Sequence, residues 1–360
     1  MHNSIGNFYR TTTFGESHGS GVGAILDGIP GNIKIDLNRI QSWLDRRKPG
    51  QSELTSPRGE SDLLVSLSGL QDGLTLGSPL CFMVENRDHR SADYAVLKDT
   101  YRPSHGDWSW EKKFNIKSSS GGGRSSARET IGRVISGAVA EQVIEALNIP
   151  LEIVAWVDSV GTLKADVPFK PSRVQVEKSQ VRCPDEVASK LFHQEIMLAK
   201  SEGDSVGGTI RCLIDGIPAG LGEPVFSKME AELAKAMMSL PASRSFEIGE
   251  GLAATYMRGS AHNDSFTLVN NEIIPGSNRH GGVQGGISTG MPITFRIGFK
   301  PVSTLGKDVE SINSNKEKVT LKAGGRHDPC VLPRAVPIVE AMGYIVVLDF
   351  ILAQRARRIM

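Results

Sequence analysis

Histidines and arginines held in glycine-rich segments are the residues of this chain best suited to chemistry. His18 stands in Gly15-Glu16-Ser17-His18-Gly19. Imidazole is the side chain whose ordinary pKa lies nearest neutrality, so it can give or take a proton there. His105 occupies a second constrained loop, Tyr101-Arg102-Pro103-Ser104-His105-Gly106-Asp107, and His327 a third, between Arg326 and Asp328. Gly121-Gly122-Gly123-Arg124-Ser125-Ser126 runs into a helical pattern and offers backbone N–H groups, hydroxyls and a guanidinium, a set suited to phosphate or carboxylate. Arg46, Arg47, Lys48, Arg102, Arg128 and Arg334 add cations that read as loop residues, several of them beside glycine or proline. A flexible turn and solvated charge are the competing readings of these segments.

Other chemistries are disfavoured. There is no HExxH, no Walker A run and no GxGxxG, and the acidic residues show no glycosidase spacing. Cys81, Cys183, Cys212 and Cys330 are dispersed without a CxxC pair, so buried free thiols are expected rather than a zinc site or disulfide framework, and no metal is expected. The chain has 41 Lys+Arg against 40 Asp+Glu, so no global positive field argues for nucleic acid. Its start lacks a basic segment followed by an apolar run, and no apolar stretch reads as membrane-spanning, which leads to the expectation of a cytoplasmic protein.

The elements that must position these residues come from a repeat. Gly15 to Gly19 leading to Leu26-Asp27-Gly28-Ile29-Pro30 returns, at the same spacing, as Gly203 to Gly207 leading to Ile214-Asp215-Gly216-Ile217-Pro218. Gly73 to Pro79 before Phe82 is echoed by Gly286 to Pro292 before Phe295, and Gly122-Gly123-Arg124 by Gly324-Gly325-Arg326. Two related halves follow, about 1–150 and 200–355 within one 360-residue unit, joined by a divergent middle segment. Val22 to Leu26 and Ile210 to Ile214 read as strands ended by Asp-Gly turns, and each half ends in a helix. Ser126 and Glu129 have capping-box spacing before a stripe of Ile131, Ile135, Ala138, Val143 and Leu147, and Phe226, Met229, Leu233, Met237 and Leu240 suggest a further helix after Pro224. The expected class is α+β, with residues 45–60, 87–125 and 303–327 as loops. His18 has Val206 as its counterpart in the second copy, a change in chemistry that points to function at His18.

The strings GESHG (15–19), LDRRKPGQS (44–52), RPSHGD (102–107), GGGRSSARET (121–130), GDSVGG (203–208), PAGLGEPVF (218–226), GGISTG (285–290) and GRHDPC (325–330) together resemble the chorismate synthase family. The resemblance implies a β-α-β sandwich of two related halves, with helices packed against antiparallel sheets and assembly as a homotetramer. It implies a lyase of the shikimate pathway to aromatic amino acids, performing a 1,4-anti elimination of phosphate from 5-enolpyruvylshikimate 3-phosphate to give chorismate. Reduced FMN is required without net redox change. By the same resemblance His18 and His105 are acids and Asp328 assists proton removal through the flavin N5. Flavin contacts fall to Arg124, Ser125, Ser126, Ala242, Gly285, Lys300, Pro301, Val302, Ser303, Thr304 and Arg326. Arg47 takes the position associated with a reducing nucleotide, and Arg46, Arg102, Arg128 and Arg334 face the substrate anions. Glu53 stands where the family has a basic residue and would repel a nucleotide phosphate, so NADPH is expected only as an indirect source of electrons, through an external flavin reductase.

Overall fold

Two five-stranded sheets, antiparallel throughout, carry the repeat in the computed structural model, which describes residues 3–55, 61–86, 99–117, 120–321 and 328–357. In the first, Ser4–Ile5 (β1), Arg10–Gly15 (β2), Gly21–Asp27 (β3), Leu64–Ser68 (β4) and Leu80–Glu85 (β5) pair in the order β1-β2-β3-β5-β4. In the second, Glu152–Val160 (β6), Leu163–Lys164 (β7), Gly208–Asp215 (β8), Ser243–Ile248 (β9) and Ile293–Phe299 (β10) pair in the order β9-β10-β8-β6-β7. Read in chain order, β2, β3, β4, β5 and β6, β8, β9, β10 occupy the same places in their sheets. A strand from the segment between the repeated strings, β6, therefore matches β2. The Asp-Gly turns end β3 and β8 by one device: Gly28 and Gly216 have φ of +82° and +71°, and a Cβ on either would overlap the carbonyl oxygen of Phe8 or Pro150.

Six helices matter for the site: Leu37–Arg47 (α1), Asp107–Phe114 (α2), Thr130–Ala146 (α3), Glu186–Ser201 (α4), Met229–Met238 (α5) and Leu332–Arg357 (α6). α3 packs on β2, β3 and β5, α6 packs on β6 and β8, and the two helices pack on each other, giving the expected sandwich. Small residues allow the approach. A Cβ on Gly137 would overlap Ala341 Cα, and one on Gly132 would come within 2.6 Å of the Gly23 carbonyl oxygen. α6 alone among the described residues is long and apolar enough to cross a membrane, a length the sequence reading underestimates, and 89% of its most apolar window is buried inside the fold.

Several local expectations are corrected. Ser126 caps a short 3-10 turn over Ala127–Glu129 instead of α3, and its Oγ accepts from the Arg128 N–H at 3.3 Å. Glu129 does not complete a capping box, because its carboxylate accepts from Thr13 Oγ1 at 2.7 Å and Arg133 Nε at 2.9 Å. Phe226 is 92% exposed and precedes α5, which starts at Met229 after Lys228. Arg46 and Arg47 form the last turn of α1, capped at its start by Asp36, and Arg334 lies in the first turn of α6, so none of the three is a loop cation. The thiols are free, with Cys183, Cys212 and Cys330 buried and Cys81 half-buried.

Candidate active site

The His105 loop is built from both halves. Its backbone runs beside a hairpin of Val309–Ile312 (β11) and Lys318–Leu321 (β12), with the Tyr101 N–H donating to Ile312 O at 3.3 Å and Ser311 Oγ to Tyr101 O. Ser104 takes a left-handed φ of +58°, which turns the chain so that His105 faces the glycine-rich segment. A Cβ on Gly122 would lie 3.0 Å from His105 Cε1, and one on Gly106 would lie 3.4 Å from Ser125 Oγ. From the second half, Lys300 Nζ reaches Ser104 O at 3.4 Å, while its backbone N–H donates to Ala242 O at 2.9 Å. Burial and then the nearby Arg244 push the Lys300 ammonium below its ordinary pKa.

Asp107, the first residue of α2, orients this loop. Its carboxylate accepts from Arg102 Nε at 2.7 Å and Nη2 at 2.8 Å, and from His105 Nδ1 at 2.8 Å. Burial pushes the Asp107 carboxyl up, but the bonds from Arg102 and then His105 outweigh it and hold it well below the carboxylate range. An ionised carboxylate only accepts, so His105 Nδ1 carries the proton and Nε2 is left to act.

A second cluster gathers around Asp62, whose carboxylate is fully buried. It accepts from Arg47 Nη2 at 2.5 Å and Arg128 Nη1 at 3.0 Å. Burial lowers the Arg47 guanidinium to about 10, Asp62 opposing the shift and Arg334 and Arg128 adding to it. Arg128 Nε also donates to Asn86 Oδ1, and Asn86 Nδ2 donates to Glu16 O and Gly19 O, both at 2.8 Å. The turn that carries His18 is thereby tied to the buried arginines. Arg334 Nε donates to Arg47 O at 3.1 Å, and its Nη1 pairs with Asp328 Oδ2. Arg47, Arg334, Asp328 and Ala242 line one small cavity whose walls are otherwise mostly apolar, and Arg47 Nε is buried without a hydrogen-bond partner. That cavity adjoins, at Pro241, a larger cleft of about 630 Å³ lined by Arg124, Ser125 and Arg133.

The expected site residues do not all converge. Arg124 donates to Gly15 O at 3.1 Å and Thr13 Oγ1 at 2.8 Å, so it also fixes the end of β2. Pro301, Val302, Ser303 and Thr304 follow β10, and Val302 O accepts from Ser205 Oγ at 2.8 Å. Val206, the counterpart of His18, donates its N–H to Pro329 O at 2.9 Å, next to Asp328. Gly285 lines a different cleft, beside His262 and His280. Arg46 is corrected from anion binder to structural cation: it pairs with Glu340 at 2.7 Å and Glu177 at 2.8 Å and lies over the Trp43 ring. Arg326 and His327 lie outside the described residues. Glu53 is engaged by His193 of α4 at 3.0 Å. Asp62, Asn86 and Asp107 are missed by the sequence reading; only Asp107 gives a local signal, two residues after His105 and five after Arg102. No group of three metal-ligating side chains occurs among the described residues.

Known proteins resemble this chain in sequence and in fold. Residues 9–352 match the family described as chorismate synthase. The chain is 50% identical over 360 residues to a chorismate synthase of Prochlorococcus marinus strain MIT 9301, covering 99% of this chain and 98% of that protein. It is 49% identical over 359 residues to one of Synechococcus sp. strain RCC307, covering 99% of each. A solved structure titled as a crystal structure of chorismate synthase superposes with a TM-score of 0.75 at 28% identity, over 97% of this chain and 93% of that one.

Proposed function

The chain belongs to the chorismate synthase family and is a lyase, and on that premise we propose that it eliminates phosphate from 5-enolpyruvylshikimate 3-phosphate in a 1,4-anti sense to give chorismate. The observation that carries this reading is the arginine cluster, where Arg47 and Arg128 share the buried Asp62 and Arg334 joins Arg47 O to Asp328. The substrate offers a phosphate and two carboxylates to such a cluster. Arg47, Arg128 and Arg334 bring three positive charges against Asp62 and Asp328, a balance that favours an anion.

The same chemistry suits reduced FMN, whose phosphate and polar ring edge call for the donors of Arg124, Ser125, Ser126 and Lys300, with the 300–304 segment, Ala242, Gly285 and Arg326 as further contacts. When bound, reduced FMN lends electron density that helps phosphate leave without net redox change. His105, its Nδ1 tied to Asp107, is one of the two acids and exchanges protons at Nε2. His18 is the second acid, and the carboxylate of Asp328, oriented by Arg334, assists removal of the proton that is lost, which the flavin N5 would receive when FMN is bound. Arg102 fixes the His105 loop through Asp107 and serves the substrate anions. The chain acts as one unit arisen by internal duplication, assembled as a cytoplasmic homotetramer and supplied with reduced flavin by an external reductase, with NADPH behind it only indirectly.

The experiment is anaerobic turnover of 5-enolpyruvylshikimate 3-phosphate with chemically reduced FMN, following phosphate and diene absorbance, with oxidised FMN and His105→Ala as controls. Product only with reduced flavin, and sharply less with the variant, is the expected result. No turnover by folded, flavin-binding protein would remove the reaction from this reading.

A further inference from the structure

Arg182 lies in the segment between the two repeats, outside every part of the reaction described above, yet it is 5% exposed and its backbone takes a left-handed φ of +61°. A bulky residue keeps such a conformation only where its surroundings over-determine it, and that invites a search for its task. Its main chain is fixed to the second sheet: the carbonyl accepts from the Val157 N–H, and its own N–H donates to Ser179 O, each at 2.9 Å. The guanidinium then spans two elements far apart in sequence. Nη2 donates to Arg46 O at 2.7 Å and to Gln51 Oε1 at 3.1 Å, Nη1 donates to Pro333 O, and Nε pairs with Glu177 at 3.0 Å.

The identity of the two carbonyls is what matters. Arg46 O belongs to the peptide that leads into Arg47, and Pro333 O to the peptide that leads into Arg334. One planar fork therefore grips the peptide just before each cation of the cavity, and Arg334 Nε closes the ring by donating to Arg47 O at 3.1 Å. We propose that Arg182 is a positioning residue, which sets the separation of Arg47 and Arg334 and so the affinity of their cavity for the phosphorylated substrate. Lysine cannot replace it, because a single ammonium has no rigid fork with which to hold both carbonyls at fixed spacing.

The proposal rests on the reaction assigned above, and its test keeps the two apart. KM and kcat for 5-enolpyruvylshikimate 3-phosphate are measured with reduced FMN for the parent, Arg182→Gln, Arg182→Lys, Arg334→Gln and the Arg182→Lys/Arg334→Gln double variant. KM is expected to rise about tenfold in both Arg182 variants with kcat changed less than about threefold, and the Arg182 change is expected to add less than about threefold once Arg334 is gone. A purely structural brace predicts otherwise: a lower thermal midpoint with KM unmoved, or KM effects that multiply in the double variant, and either result overturns the proposal. Arg182→Lys serves if Arg182→Gln does not fold. Hydrogen exchange of residues 44–50 and 329–336 supplies a readout free of turnover. Faster exchange of both segments together in Arg182→Lys is expected, and protection retained in either refutes the positioning role. An inactive parent with both segments loosened in the variant would instead remove the assigned reaction and leave the positioning of the Arg47 and Arg334 peptides by Arg182 standing.

Discussion

Replacing Asp107 by Asn tests whether the His105 loop works as a unit. The carboxylate accepts three hydrogen bonds, two from Arg102 and one from His105 Nδ1. Asparagine keeps the shape but offers one oxygen and one NH2. His105 Nδ1 and Arg102 Nη2 share Oδ1, so with the amide oxygen in the place of Oδ2 the NH2 faces Nδ1, which must then accept, and the ring proton moves to Nε2, the atom assigned to proton exchange. A hydrogen bond to a charged group contributes about 1.5–3 kcal/mol, and about 1.4 kcal/mol corresponds to tenfold in rate. Asp107→Asn should therefore lower kcat/KM by roughly 10- to 150-fold through the His105 loop, without touching Arg47, Arg128 or Arg334. The assay is the anaerobic one with reduced FMN, run beside His105→Ala, with circular dichroism confirming that each variant is folded. A loss under about threefold in Asp107→Asn, while His105→Ala is strongly impaired, would refute the argument that Asp107 sets the working tautomer.

Two further outcomes concern stability. Gly137→Ala forces a methyl group into the Ala341 backbone where α3 meets α6, and since neither side is a flexible chain end the cost should reach about 3 kcal/mol, the upper part of the usual overpacking range; an unchanged urea midpoint would mean that the two helices separate without penalty. The Asp107 carboxyl has its folded pKa depressed, so its contribution is fully present above the ordinary value near 4 and is lost as pH falls toward the folded value. The difference in melting temperature between wild type and Asp107→Asn should accordingly shrink between about pH 5 and pH 2, and a difference constant over that interval would deny the carboxylate this role.

What could be read from residue order was whatever is local or repeated. The strands ended at Asp27-Gly28 and Asp215-Gly216 were legible because a left-handed glycine after a short apolar run leaves few alternatives. Arg46 and Arg47 were not separable, since neighbours on a helix differ by about 100° in direction and only the packing decides which meets Glu340 and which meets Asp62. Ser126 and Glu129 had the spacing of a capping box, yet Thr13, 116 residues away in sequence from Glu129, holds its carboxylate instead. Asp62 and Asn86 were invisible for the same reason: their value lies in what they join, and an isolated aspartate or asparagine in a loop carries no mark of it.

The position of α6 has a consequence for how the molecule is made. It is the last element in the described chain, and it fills the space between the two sheets against α3, β6 and β8. During synthesis the inner face of the second sheet and the side of α3 turned toward it leave the ribosome uncovered, and the helix that covers them follows both. The interior therefore closes only once α6 has emerged, and until then the nascent chain displays apolar surface of the kind that chaperones bind. A premature stop before Leu332 removes the centre of the fold rather than an end of it.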